Sequence, residues 1–202
     1  MSAGGDGRRL VRTRRALAGL YWRCSRWQPD PQPPPGDGGI LLGAPHTSNW
    51  DFVLMLALAW HWGIPVRYLG KASLFTRPFG RLMRALGGIP VQRDDPSRLV
   101  PELVAELRGR QAYLVITPEG TRGPAPYWKS GFYRIAREAG LPVTLGYVDR
   151  RVMTAGLGPT LTLTGDVTAD MDRVRAFYAG KVGVKGARPV PRLRSEDEPA
   201  PQ

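Results

Sequence analysis

The stretch Ile40-Leu41-Leu42-Gly43-Ala44-Pro45-His46-Thr47-Ser48-Asn49-Trp50-Asp51, followed by the apolar run of residues 52–64, decides the fold. Residues 40–44 are a short apolar run that reads as a strand. Residues 49–62 then read as a largely buried helix, with Ser48 or Asn49 as its cap. A strand, a short polar turn and a largely buried helix form the repeating unit of an α/β sheet.

Outward from this unit the alternation continues. Strands are expected at 66–69, 89–92, 112–116, 143–147 and 161–164. Helices are expected from Thr76, with Phe79, Leu82, Met83 and Leu86 on one face, and at 97–108, 129–139 and 169–179. Gly140, with Pro142 two residues on, stops the third of these. The expected fold class is α/β: a single domain with a mixed, mostly parallel central sheet flanked by helices, preceded by a basic amino-terminal helical segment. Its 202 residues suit one sizeable core rather than two.

Three regions follow. Residues 1–38 form a basic leader in which arginines alternate with Leu10, Leu17, Leu20, Tyr21, Trp22 and Trp27 before a proline-rich break. It reads either as a helix lying at a membrane interface or as one packed on the core with a solvated basic face. Residues 39–185 form the domain, and residues 186–202, rich in proline and charge, are expected to be a disordered tail.

The chain has 29 Lys+Arg against 17 Asp+Glu, a net charge of +12, which favours anionic partners without choosing among nucleic acid, anionic lipid and phosphorylated metabolites. Between residues 52 and 93 there are six basic side chains, Arg67, Lys71, Arg77, Arg81, Arg84 and Arg93, and no acidic ones. A nucleic-acid-binding module is the rival reading, but it needs a recognition helix or stacking platform that is not evident, so no nucleic-acid partner is expected. Cys24 is the only cysteine and His46 and His61 the only histidines, which leaves no ligand set for a structural metal. The 13 residues from 52 to 64 are too few to span a bilayer, and arginines interrupt any signal-peptide core.

His46 falls at the carboxyl end of a strand, where open α/β sheets place ligands. Asp51, in the first turn of the next helix, can fold back to the imidazole, fix its tautomer and stabilise its protonated form. The same spacing also suits a carboxylate that merely complements the helix N-terminus. Two further strand ends carry arginines: Gly88-Ile89-Pro90-Val91-Gln92-Arg93 and Thr117-Pro118-Glu119-Gly120-Thr121-Arg122. Arg93 and Arg122 offer bidentate hydrogen bonds to phosphate, and Gly120 lets backbone amides approach an anion. Glu119 either pairs with an arginine or accepts from an acceptor hydroxyl.

These blocks, with Gly140-Leu141-Pro142-Val143, resemble the glycerolipid acyltransferase family that includes 1-acylglycerol-3-phosphate acyltransferases, over residues 39–148. The resemblance implies that His46 is the general base and Asp51 its partner. It implies that Lys71, Arg93, Glu119, Gly120, Thr121 and Arg122 line the acceptor site. The reaction implied is transfer of a fatty acyl group from acyl-CoA or acyl carrier protein to the hydroxyl of 1-acyl-sn-glycerol 3-phosphate or a related lysophospholipid. It needs no metal and no cofactor beyond the acyl thioester, and no acyl-enzyme. Another lysolipid, such as a lyso-ornithine lipid, or a glycolipid is the alternative acceptor. The expected location is cytoplasmic, peripheral on the inner face of the cell membrane, held by anionic lipid. The sequence differs from the family pattern at Thr117, Gly123 and Gly146, positions that bear on the acceptor rather than on the His46–Asp51 pair.

Overall fold

A computed structural model describes residues 3–36, 38–91, 101, 103 and 112–197. Its centre is a seven-stranded sheet in the order β1-β7-β6-β2-β5-β3-β4. The strands are β1 (Gln28–Pro29), β2 (Gly39–Ala44), β3 (Val66–Lys71), β4 (Gly88–Val91), β5 (Tyr113–Ile116), β6 (Val143–Asp149) and β7 (Thr154–Leu161). Neighbouring strands pair in parallel except at β6–β7, so the sheet is mixed and mostly parallel, as the alternation implied.

β2 lies at the centre and is covered on both sides. Ile40 and Leu42, both 0% exposed, face a core shared with α4 (Gly131–Ala139) and α5 (Val167–Tyr178). Leu41 faces the opposite core, built with Leu54 and Leu58 of α2 (Trp50–Trp62). This two-sided burial explains the unbroken apolar run. α1 (Ala3–Cys24) lies against α2. Ala18 and Trp22 are buried there, Arg14 donates to the Ala85 carbonyl at 2.9 Å, and Arg15 donates to that of Trp62 at 3.3 Å. Elsewhere on its surface α1 exposes Leu10, Leu17 and Leu20, and Val11 is exposed more than one turn before the buried pair. The leader is therefore packed on α2 through part of its surface, with apolar side chains left exposed on the rest.

Three sequence expectations are corrected. The helix expected from Thr76 is shorter: a 3-10 turn, Ala72–Phe75, precedes α3 (Gly80–Ala85), and Thr76 closes that turn as its C-cap instead of opening the helix, its hydroxyl donating back to the Ser73 carbonyl. Gly80 comes so close to the Phe75 carbonyl that a Cβ would lie 2.1 Å from its oxygen, and this fold-back consumes the turn a longer helix would have used. Phe75 takes the core position while Phe79 and Leu82 stay exposed. The strand expected at 161–164 is β7, eight residues long and ending at Leu161. Its glycines disguise it, and packing demands them: a Cβ on Gly158 would meet the Phe177 ring at 2.2 Å, and one on Gly156 would meet Asp30 Cβ at 2.5 Å. The helix expected at 97–108 lies outside the described residues apart from positions 101 and 103, both helical.

The third correction concerns the carboxyl-terminal segment, expected to be disordered from residue 186. β8 (Val182–Gly183) and β9 (Gly186–Ala187) form a small hairpin, and the chain continues as an ordered strap to Asp197. Leu193 is 0% exposed and bridges to Trp128, while Arg175 holds Glu196 at 2.8 Å. One apolar anchor and one buried ion pair fix a segment whose composition suggests a tail. Leu193→Ala is expected to lower stability by about 3 kcal/mol, measured by denaturant unfolding, because the strap cannot collapse into the space left.

Candidate active site

The parallel strands end on one edge of the sheet, and their order decides which loops meet there. β2 and β5 are neighbours, with Leu42 opposite Ile116. The loops carrying His46 and Glu119 therefore leave adjacent strands at nearly the same level, although 73 residues separate them in the chain. Their meeting is direct: the His46 backbone N–H donates to Glu119 Oε1 at 2.7 Å.

Asp51, in the first turn of α2, folds back as its spacing allowed. Its Oδ2 accepts from the backbone N–H groups of Thr47 and Ser48, each at 2.7 Å, and lies 3.1 Å from His46 Nδ1. That last approach is at ion-pairing distance but off the axis of an aligned hydrogen bond. Two amides thus lock the carboxylate against the imidazole. With Nδ1 turned inward, Nε2 is the nitrogen left to exchange a proton with a bound molecule. Neither Ser48 nor Asn49 caps α2 in the ordinary way. The Ser48 hydroxyl accepts from Trp50 N–H at 3.2 Å, and the Asn49 side-chain oxygen Oδ1 accepts from Arg122.

Glu119 is buried, and its partners answer the question its position raised. Oε1 holds the His46 amide and Oε2 faces Arg188 Nη1 at 3.9 Å. Burial raises its pKa above the ordinary carboxylate range, while the His46 amide and the charges of His46 and Arg188 act the other way; Asp51 adds to the rise. Gly120 adopts φ +65°, and its N–H closes a turn on the Thr117 carbonyl at 3.1 Å, so that amide is committed within the loop. A Cβ there would lie 2.7 Å from Lys129 Cε. Thr121 is exposed and accepts from Gly123 N–H at 3.2 Å. Arg122 is exposed, reaches Asn49, and gives its carbonyl to Arg188. Lys71 stands exposed at the end of β3, on the same edge. Arg93 lies outside the described residues.

His46, Asn49, Lys71, Arg122 and Lys129 share a cleft of about 1380 Å³. Its polar residues gather where the strands end. Deeper in, Phe52, Met55, Leu58, Tyr68, Met83 and Val115 make an apolar wall between the sheet and α2. The arrangement sets a proton-accepting nitrogen between a cationic rim and a space suited to hydrocarbon. Among the described residues no group of acidic, histidine and cysteine side chains could hold a metal ion.

Sequence reasoning missed Thr47 and Arg188. The Thr47 hydroxyl, buried in the loop, accepts from Lys185 N–H at 3.0 Å, which docks the β8–β9 hairpin on the loop carrying His46. The one local signal was Gly183 and Gly186 bracketing Val184 and Lys185, a turn pattern too common to mark a site.

Comparison with curated proteins returns no match. Among solved structures the fold is similar to that of the 1-acyl-sn-glycerophosphate (LPA) acyltransferase PlsC from Thermotoga maritima. The TM-score is 0.61 and the sequence identity 17%, over 90% of this chain and 81% of that one. The family model Acyltransferase matches residues 28–145, which run from β1 through β5 into β6 and include every residue of the His46, Lys71 and Glu119–Arg122 cluster. With more than half of its length matched, the chain belongs to the acyltransferase family.

Proposed function

We propose that this acyltransferase moves a fatty acyl group from an acyl thioester, acyl-CoA or acyl carrier protein, to the free hydroxyl of a lysophospholipid. 1-Acyl-sn-glycerol 3-phosphate is the preferred acceptor. The observation that carries this reading is the His46–Asp51 contact at the mouth of a cleft that is cationic at its rim and apolar within.

The geometry supports a direct transfer. His46 Nε2 takes the proton of the acceptor hydroxyl as its oxygen attacks the thioester carbonyl. Asp51 and Glu119 place negative charge beside the imidazolium so formed. Collapse of the tetrahedral intermediate breaks the carbon–sulfur bond, and the imidazolium returns its proton to the leaving thiolate. The acyl carbon moves directly from sulfur to oxygen. Cys24, exposed at the end of α1, takes no part as a nucleophile. Lys71 and Arg122 offer cations to the acceptor phosphate, while the apolar wall takes an acyl chain; the family resemblance adds Arg93 to this role.

Peripheral attachment to the inner face of the cell membrane completes the proposal. No helix among the described residues is long and apolar enough to cross a bilayer. Leu74, Phe79 and Leu82 are exposed among Arg77, Arg81 and Arg84, of which Arg84 also donates to the Phe75 carbonyl at 3.2 Å, and Leu74 borders the cleft. Apolar side chains ringed by guanidinium groups suit an anionic lipid surface. Several other arginines are occupied internally, Arg137 on the Leu163 carbonyl and Arg175 on Glu196 among them, so the net charge alone is no argument for nucleic acid.

The test pairs labelled acyl-CoA and acyl carrier protein donors with a lysolipid panel presented in anionic vesicles, with products identified by mass spectrometry. 1-Acyl-sn-glycerol 3-phosphate is expected to exceed acceptors without a phosphate monoester by about tenfold or more in kcat/KM, the worth of one charge-assisted hydrogen bond. Preference for an ornithine-type lysolipid or a glycolipid would reassign the acceptor. Transfer to none of them would end the proposal.

A further inference from the structure

The segment after α5 doubles back onto the loop that carries His46. Besides the Lys185–Thr47 hydrogen bond, Gly183 packs so closely that a Cβ would lie 2.7 Å from both Thr47 Cγ2 and Oγ1. One residue past β9, Arg188 turns inward. Its Nη1 lies 3.9 Å from Glu119 Oε2, and its Nη2 donates to the Arg122 carbonyl. Among the described residues neither Glu119 Oε2 nor Arg188 Nη1 has a hydrogen-bond partner, so the guanidinium is the charge set against that oxygen. Glu119 is 7% exposed, and a carboxylate so placed needs a facing cation to remain ionised. Its other oxygen holds the His46 amide. One ion pair and one hydrogen bond therefore link the strap, through a single carboxylate, to the backbone of the proposed base.

We infer that Arg188 is a positioning residue for acyl transfer, tying Glu119 and the Arg122 carbonyl together so that the loop bearing His46 is held in its reactive place by the carboxyl-terminal strap. The inference rests on His46 being the base. Arginine suits the task because its planar fork addresses two acceptors at once, whereas lysine presents a single point of charge.

Charge and fork make separable contributions. The groups acting on Glu119 are His46 and Asp51 from the loop and α2, and Arg188 from the strap; Tyr178 of α5 also senses its charge. Burial already raises the Glu119 pKa and Arg188 opposes that rise, so removing the guanidinium charge moves protonation of this carboxyl to higher pH. Protonated Glu119 is a weaker acceptor for the His46 amide and places no negative charge beside the imidazolium. The acid limb of kcat should therefore move upward in pH. A strap that served only stability would lower Tm and leave that limb in place.

The experiment measures kcat, KM, the pH profile of kcat and Tm for the full chain carrying Arg188→Gln, Arg188→Lys, Glu119→Gln or Arg188→Gln with Glu119→Gln, alongside His46→Ala. Arg188→Gln is expected to lower kcat on the order of tenfold with KM changed less than about threefold, and to shift the acid limb upward. Arg188→Lys should keep the acid limb but lose about threefold in kcat, since the charge stays and the fork is gone. In the Glu119→Gln background, Arg188→Gln should add little further loss. Wild-type kcat in both Arg188 variants, or an unmoved acid limb in Arg188→Gln, overturns the inference. If Arg188→Gln does not accumulate as folded protein, wild-type kcat in Arg188→Lys overturns it alone. An active His46→Ala would remove the base on which the inference stands; an inactive one beside unaffected Arg188 variants would remove only the inference.

Discussion

His46→Ala is expected to lower kcat by about a thousandfold, within the range removed with a positioned general base, while KM for the acyl donor changes little. The separation follows from what the substitution leaves in place. The His46 backbone N–H still donates to Glu119, and the Thr47 and Ser48 amides still hold Asp51, so the loop keeps its course. His61, the only other histidine, lies in the last turn of α2, eleven helical positions from its first residue, and cannot substitute. Because the His46 side chain is 20% exposed rather than sealed in the core, its truncation should cost less than about 1.5 kcal/mol of stability. Thiol release under steady-state conditions, with a thermal melt on the same preparation, gives both readings. Turnover within a few fold of wild type would remove His46 from the mechanism.

Asp51→Asn is expected to cost about a hundredfold or more in kcat, and the choice of asparagine over alanine carries the argument. Asp51 Oδ2 has two duties: it accepts from two amides and faces His46 Nδ1. Asparagine can keep its carbonyl oxygen on the amides, but it then has no negative charge to set beside the imidazolium. If its NH2 turns toward Nδ1, it favours the tautomer that places the proton on Nε2, where the acceptor's proton must go. Alanine would instead strand two amides in a largely buried loop, at about 1–3 kcal/mol each, and confuse lost chemistry with lost structure. Asp51→Asn should therefore melt close to wild type while turning over slowly. Full activity in this variant would reduce Asp51 to a loop brace.

The central unit was legible because its physics is local. Ile40, Leu41 and Leu42 are apolar since β2 is covered on both faces, and Asp51 reaches back to His46 because it lies only four positions beyond Thr47, whose amide it accepts. Gly140, which ends α4 with φ +63°, was equally plain. What stayed hidden depends on contacts made late in the chain. β7 has the composition of a loop because Phe177 and Asp30 crowd its glycines, and no feature near residue 158 announces a ring contributed by residue 177. The strap looks like a tail because its cohesion resides in Leu193 and in Glu196, whose partners Trp128 and Arg175 are distant in sequence. Glu119 was visible as part of the site, but its grip on the His46 amide depends on β2 and β5 being neighbours, which strand order alone decides. The arginines were misleading as a sum. Many of them fasten loops and helix ends, and a net charge cannot separate those from the ones that face a ligand.

The adjacency of β2 and β5 also sets which insertions and deletions the lineage could accept. A strand advances about 3.3 Å per residue, so slipping β5 by two residues along β2 would carry Glu119 some 6–7 Å away, more than twice the length of the hydrogen bond it makes to His46. Side-chain alternation forbids the one-residue slip for a different reason, since it would turn Leu114 out of one core and Val115 out of the other. Length changes within either strand are thus closed to drift. The connections before Gly39 and between Val91 and Tyr113 lie outside that measured span, and changes of length there leave the distance between base and brace untouched.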